Sequence, residues 1–263
     1  MDIESMTNQK EKSIVSRDTQ TLIGVLSIVA TPIGNIEDIT LRALRTLKEC
    51  NVIYAEDTRV ISKLLAKYEI KKPLQRLDAA TEMNKAKEII DRLEAGEHVA
   101  FVSDAGTPGI SDPGARLVAR VRAHSAGEVF FASGSQFGSK KTSPAPLIIE
   151  TIPGPSALTA AISIAGIDEP SFTFLGFLPH KKGRQTMLKE IAASKHPVVV
   201  YESPHRVLKL LAELAAHGIT QVHIGRELTK MHEEMLVGEP LDLAKRLEEK
   251  GGVRGEFVLI IGR

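Results

Sequence analysis

Short runs of β-branched and apolar residues alternate along this chain with longer stretches in which apolar positions recur every three or four residues. The runs are strand signals and the stretches are helix signals. Leu22 to Val29 predicts a first strand, and Asp38 to Leu47 a first helix with Ile39, Leu41, Ala43, Leu44 and Leu47 at helical spacing. Val52 to Ala55 predicts a strand, Thr58 to Tyr68 a helix, Met83 to Glu94 a helix stopped by Gly96, and Val99 to Val102 a strand. Pro113 opens the next helix, Ala115 to Val121, at a position that suits proline. Leu147 to Ile152 returns to strand, and Ala157 to Ala165 is a small, apolar helix.

At Gly166-Ile167-Asp168-Glu169-Pro170 the pattern breaks and then restarts. Strands are expected at Phe172 to Phe177, Pro197 to Tyr201, Val222 to Gly225, Glu233 to Val237 and Phe257 to Ile261. Helices are expected at Arg184 to Ala193, Val207 to Ala216 and Leu241 to Lys250. Strand–helix alternation on both sides of the break implies an α/β protein of two α/β domains, 21–166 and 167–263. Residues 1–20 are polar and aperiodic and read as a flexible tail. Residues from about 124 to 145, rich in Ser, Gly and Lys, read as an insertion, either disordered or an arm that touches substrate through Lys140 and Lys141.

Composition narrows the function. With 263 residues, 43% of them apolar, the chain can bury a sizeable core. Its 34 Lys+Arg against 33 Asp+Glu leave +1, so any contact with nucleic acid has to come from local basic patches. Cys50, the one cysteine, excludes an internal disulfide and a cysteine-rich zinc site and reads as a core residue. No apolar run is long enough for a bilayer and no signal peptide is visible, so no membrane partner is expected and a cytoplasmic location is. The histidines are scattered, and no metal site is expected.

The candidate chemistry lies in loops that follow strands. Ser103-Asp104-Ala105-Gly106-Thr107-Pro108-Gly109-Ile110-Ser111-Asp112-Pro113-Gly114 carries more Gly, Pro, Asp and hydroxyl residues than an ordinary strand-to-helix turn needs. Thr31 to Asn35 and Pro153 to Ser156 occupy equivalent places. If their strands are parallel, the three loops lie at one edge of the sheet around one crevice. None of them has the spacing of a dinucleotide or P-loop motif. Glu56-Asp57-Thr58-Arg59 can hold a ribose or orient a polar substrate; it can equally be a helix start with acids near the positive end of the dipole. Tyr201-Glu202-Ser203-Pro204-His205-Arg206 places a carboxylate, a hydroxyl, an imidazole and a guanidinium after a strand, and Arg226-Glu227-Leu228-Thr229-Lys230 does much the same. His180-Lys181-Lys182-Gly183-Arg184 is a short basic run of the kind usually found on solvated surface.

Seven motifs occur together and in order: Val29 to Asn35, Ala55 to Arg59, Ser103 to Pro108, Ile152 to Ala157, Gly176 to Pro179, Tyr201 to Arg206 and Arg226 to Lys230. In this the chain resembles the tetrapyrrole methylase superfamily, and within it the branch that acts on ribosomal RNA. The resemblance covers residues from about 22 to 263. It implies a two-domain fold, usually a homodimer, with S-adenosyl-L-methionine in the cleft between domains. Pro32, Gly34, Ser103, Asp104, Ala105, Gly106, Thr107, Pro153, Gly154, Pro155 and Ser156 are the implied cofactor-binding residues.

The implied reaction is 2′-O-methylation of a cytidine in the decoding region of small-subunit rRNA, on the RNA or on the small ribosomal subunit. Methyl transfer from a sulfonium to a hydroxyl is an in-line displacement that needs no metal, but a ribose hydroxyl gains from a proton acceptor. Glu56, Asp57, Glu202 and His205 are the candidates for acceptor or positioner. Arg59, Arg206 and Lys230 are candidates to hold phosphates or neutralise the alkoxide. The chain departs from the family pattern at Leu77 to Glu82, where only Glu82 matches, and at the 124–145 insertion. Two other readings are a small-molecule, tetrapyrrole-type methyltransferase on the same fold and a non-catalytic ribosome-assembly factor.

Overall fold

The computed structural model describes residues 23–78, 80–125, 147–249 and 253–262. The expected tail at 1–20, and Lys140 and Lys141 of the expected insertion, lie outside the described residues. The elements are β1 (Val25–Val29), α1 (Leu41–Glu49), β2 (Val52–Ala55), α2 (Thr58–Lys67), β3 (Leu74–Arg76), α3 (Glu82–Glu94), β4 (His98–Val102), α4 (Ala115–Ser125), β5 (Ile148–Ile152) and α5 (Ala157–Ala165). They continue with β6 (Thr173–Phe177), α6 (Arg184–Ala193), β7 (Val198–Glu202), α7 (Val207–Ala216), β8 (Gln221–Arg226), β9 (Glu234–Gly238), α8 (Pro240–Glu249) and β10 (Phe257–Gly262).

The first sheet has the order β3-β2-β4-β1-β5 and is parallel throughout. Its central strands read as unbroken apolar runs because both faces are covered. Ile53, Ala55, Ala100 and Val102 face one core with residues of α1 and α2, while Val52, Tyr54, Val99 and Phe101 face a second core with residues of α3 and α4. Parallel pairing therefore brings the loops after β1, β4 and β5 to one edge, the arrangement that one shared crevice requires.

The second sheet, β6-β7-β10-β8-β9, is mixed. β6 and β7 are parallel, and β10 runs antiparallel between β7 and β8. Helices α6, α7 and α8 cover one face through Leu188, Leu210, Leu214 and Leu243. The other face is closed by α5, whose Ala161 and Ala165 pack with Val199, Val258 and Ile260, and by Ile33 from the loop after β1. Helix α5 thus follows a strand of the first sheet but packs on β8 and β10 of the second.

Two expectations differ from the structure. Asp38 to Leu47 is not one helix: a 3-10 turn at Ile36–Asp38 ends at Ile39, and Thr40 restarts the chain by accepting the Ala43 N–H at 3.0 Å as the cap of α1. Apolar spacing runs through this break, so periodicity alone does not register it. β3 is not expected from the hydrophobic pattern. It is three residues long at a sheet edge, too short for alternation to show.

Candidate active site

The loops after β1 and β4 are joined as a short antiparallel bridge. Thr31 N–H donates to Gly106 O at 2.9 Å and Gly106 N–H returns to Thr31 O at 3.1 Å. Gly106 takes φ +81°, which a side chain rarely adopts, and a Cβ there would also press on Ile33. The Thr31 hydroxyl donates to Ser103 O at 3.1 Å, and the Thr107 hydroxyl donates to Pro155 O at 3.1 Å, which ties in the loop after β5. The three loops predicted to converge are therefore hydrogen-bonded to one another.

Against them stands the edge of the second sheet, formed by the carboxyl ends of β7 and β8 and the start of β10. Between the two lies a cavity of about 300 Å³. One wall is Ile33, Ala105, Gly106, Thr107, Ser111 and Asp112, with Ser156 and Ala157 at the start of α5. The other is Phe177, Tyr201, Glu202, Ser203, Leu228 and Glu256 through Val258. The volume lies at the low end of the range for small-molecule sites, and the mix of apolar walls with a few convergent polar groups is typical of them.

The cavity is acidic. Asp112 has its carboxyl pushed up by burial and by the neighbouring Asp104 charge. Glu202 is buried, and its Oε1 accepts from Ser203 N–H at 2.8 Å and pairs with Arg206 Nη2 at 2.7 Å. Its Oε2 accepts no hydrogen bond and lies 3.9 Å from Arg184 Nη1. Arg184, expected from the sequence at the end of a surface basic run, is buried and paired with Glu213 at 2.7 Å, because a strand-end carboxylate beneath the cavity requires buried countercharge. Tyr201 accepts the Leu158 N–H of α5 at 3.0 Å and packs edge-on to Phe174 and Phe177.

The structure distributes the other candidates unevenly. Ala105, Gly106, Thr107 and Ser156 line the cavity. Pro32, Gly34 and Asp104 line a neighbouring groove, and Ser103 is buried with its hydroxyl bound to Gly106 O at 3.1 Å. Pro153, Gly154 and Pro155 hold the third loop in place but are not on the cavity wall; Gly154 lies against Ala30. Glu56, Asp57 and Arg59 stand behind the β4 loop, joined to it where Asp57 N–H donates to Asp104 Oδ1 at 2.7 Å. Asp57 caps α2 and its carboxyl is held well below the usual range by hydrogen bonds from the Arg59 guanidinium and N–H. Glu56 is pushed up by burial and by Asp104, Asp112 and Asp78.

His205 is exposed and off the cavity. Arg206 is committed to Glu202 and to Leu178 O, and Lys230 to Glu227 at 2.9 Å and Glu256 at 3.1 Å. Lys230 also lies over Gly34, where a Cβ would come within 2.5 Å of its Cγ, and Asn35 N–H donates to Thr229 Oγ1 at 3.0 Å. The Arg226–Lys230 segment is thus a clasp between the β1 loop and the second sheet. Sequence reasoning did not select Asp112, Tyr201, Leu228 or Glu256 as site residues. Asp112 and Tyr201 stood inside motifs already singled out, whereas Glu256 carries no local signal.

Among the described residues no group of three or more His, Cys, Asp or Glu side chains is arranged to hold a metal ion, and no helix is long and apolar enough to cross a membrane.

An open parallel sheet whose loops close one side of an acidic, ligand-sized cavity, with a mixed sheet on the other, defines a two-sheet α/β enzyme that works on a ligand held between its sheets. The tetrapyrrole (corrin/porphyrin) methylase profile matches residues 25–243. The chain is 43% identical over 242 residues to the ribosomal RNA small subunit methyltransferase I of Borrelia garinii subsp. bavariensis, covering 91% of this chain and 99% of that one. It is 40% identical to the protein of the same name in Thermotoga maritima, covering 91% and 98%. The fold is also that of diphthine synthase (TM-score 0.63, 14% identity, 91% of this chain and 90% of that one) and of a cobalt precorrin-4 methyltransferase (0.62, 18%, 90% and 94%). The chain belongs to the tetrapyrrole methylase family and is a methyltransferase of it.

Proposed function

We propose that this protein transfers a methyl group from S-adenosylmethionine to the 2′-hydroxyl of a cytidine in small-subunit rRNA, with the target in the decoding region. The observation that carries the reading is the 43% identity to a small-subunit rRNA methyltransferase along nine-tenths of the chain, a span that includes both walls of the cavity. The cavity fits the methyl donor by chemistry. Apolar walls at Ile33, Leu228 and Val258 suit an adenine, and Asp112, Glu202 and Glu256 offer acceptor oxygens to a ligand carrying ammonium and hydroxyl donors, although Glu202 and Glu256 already share theirs with Arg206 and Lys230. When bound, the donor supplies an activated methyl on a good neutral leaving group.

The chain's own residues then have the tasks of alignment and proton removal. Glu56, whose hold on a proton is raised by burial and by like charges, is the candidate acceptor of the hydroxyl proton; it stands behind the β4 loop and off the cavity wall, so it would act through a bridging water. Glu202 and the arginine beneath it hold the strand end that forms the cavity floor, so Arg206 acts as a positioning residue. Lys230 keeps the β1 loop against the second sheet. The protein acts as a homodimer on this reading.

The test is transfer of labelled methyl from S-adenosylmethionine to small ribosomal subunits lacking the modification, followed by nucleoside analysis. Labelled 2′-O-methylcytidine is the expected product. Cofactor binding without incorporation into any subunit, or preference for a porphyrin precursor, would sink the RNA reading.

A further inference from the structure

Beside the main cavity, on the outer side of the β1 loop, lies a second groove of about 280 Å³. Its apolar wall is Pro32, Ile33, Ile36, Val60 and Leu64, and its polar side chains are Thr31, Lys63 and Asp104. Ile33 and Ala105 belong to both spaces, so the groove and the cavity are neighbours across the bridged loops after β1 and β4. Val60 is 42% exposed there, a β-branched side chain held open at the start of a helix whose Ile61, Leu64 and Leu65 are buried.

Charge makes this groove distinctive. Elsewhere the cations near the site are spent: Arg184, Arg206, Arg226 and Lys230 each pair with a carboxylate. On α2, which lines the groove, and on α1, which shares its core, the opposite holds. Lys63 and Lys67 of α2 are exposed, one turn apart on the same side, and Arg42, Arg45 and Lys48 are exposed on α1, which packs on the same face of the first sheet. Among the described residues none of these five forms an ion pair. The groove's one acid, Asp104, has its Oδ1 taken by Asp57 N–H.

We propose that this groove is a second RNA site that takes the single-stranded segment flanking the methylated nucleotide. One base lies against Ile36, Val60 and Leu64, and the following phosphates lie on Lys63 and Lys67. The proposal rests on the reading of the substrate as rRNA. Single strands are held in general by a cationic track for the phosphates and a platform for a base; that platform is usually aromatic, and here aliphatic side chains take its place beside lysines that meet phosphates as point charges. A strand whose target nucleotide enters the main cavity meets this groove next, because the two spaces share Ile33 and Ala105 of the bridged β1 and β4 loops. A net charge of +1 gives the whole molecule no attraction for RNA, so at this groove the exposed cations of α1 and α2 supply the local field.

The test compares Lys63→Ala/Lys67→Ala with wild type on small ribosomal subunits lacking the modification. KM for subunits should rise about tenfold with kcat and the affinity for S-adenosylmethionine unchanged, and the log–log dependence of KM on salt should flatten by about 1.4, roughly 0.7 for each phosphate that no longer meets a lysine. Val60→Ser should raise KM without changing that slope. Lys189→Ala/Lys209→Ala, exposed lysines on α6 and α7, should behave as wild type. A wild-type protein that methylates no small subunit removes the reading beneath the proposal. A wild type that methylates, with a Lys63/Lys67 variant identical to it in KM and salt slope, removes the proposal alone. Photo-crosslinking from a benzophenone on Lys63→Cys decides the occupant. Capture of rRNA next to the methylated nucleotide supports the site, and capture of a ribosomal protein overturns it in favour of a protein dock.

Discussion

Glu56 shares its surroundings with three carboxylates, Asp104, Asp112 and Asp78, and with only Arg76 to offset them. Its proton is held more tightly in the folded protein than in the unfolded chain. The stability this provides is fully present below the unfolded pKa and is lost as pH rises through the raised folded value. Glu56→Gln should therefore raise Tm at pH 7 by roughly 1–3 °C, and the difference should close at pH values where wild-type Glu56 is protonated in both states. The same variant should lower kcat about 100-fold, and the rise of wild-type rate with pH through the Glu56 titration should flatten. Differential scanning fluorimetry and a pH–rate profile check both; a lower Tm at pH 7 contradicts the electrostatic account. Adjacent acids after a strand were visible in the sequence, but their division of labour was not. Asp57 is the helix cap with its carboxyl held down by Arg59, and Glu56 is pushed up by burial and then by Asp104, which lies beyond the reach of any local pattern.

Glu82, at the end of the 77–82 stretch, has a structural task. It is 3% exposed, and its Oε1 accepts from Gly114 N–H at 3.0 Å and Leu117 N–H at 2.9 Å, so a side chain of α3 satisfies orphan donors at the start of α4. It also fixes the end of the loop that bears Asp112. Glu82→Ala should cost about 1–3 kcal/mol in urea unfolding and weaken cofactor affinity, while Glu82→Gln, which keeps an acceptor, should lose less. Equal losses for both would place the effect in the charge and not in the capping. Elements of this kind were legible where periodicity is long, as in α3 and α7. They were not where a single side chain resets the chain, as Thr40 does before α1, or where a strand is three residues long, as β3 is.

At the scale of the molecule, the two sheets share a core. Ile33 and α5 pack with Val199, Leu228, Val258 and Ile260, and the Asn35–Thr229 and Leu158–Tyr201 hydrogen bonds bridge the same seam. Unfolding should therefore be one transition, with calorimetric and van't Hoff enthalpies equal. Leu228→Ala, at the centre of the seam, should lower stability by about 2–4 kcal/mol without splitting that transition. Two separate endotherms in the wild type would contradict this. The convergence of the first three loops was readable from parallel strands alone. The facing wall was not, because it depends on β10 pairing antiparallel between β7 and β8, and that long-range pairing leaves no mark near Glu256 or Val258.

Ile33 is 8% exposed and forms part of both the cavity and the groove. A side chain that two ligands share as a common wall makes their occupancies thermodynamically linked. Whatever factor an RNA segment in the groove adds to the affinity for the methyl donor, the donor must return to the RNA. Titrating each ligand in the presence and absence of the other should give the same factor both ways, and Ile33→Ala should drive it toward one. The loop that builds the site would then carry the coupling between donor and strand, equal in both directions whichever enters first.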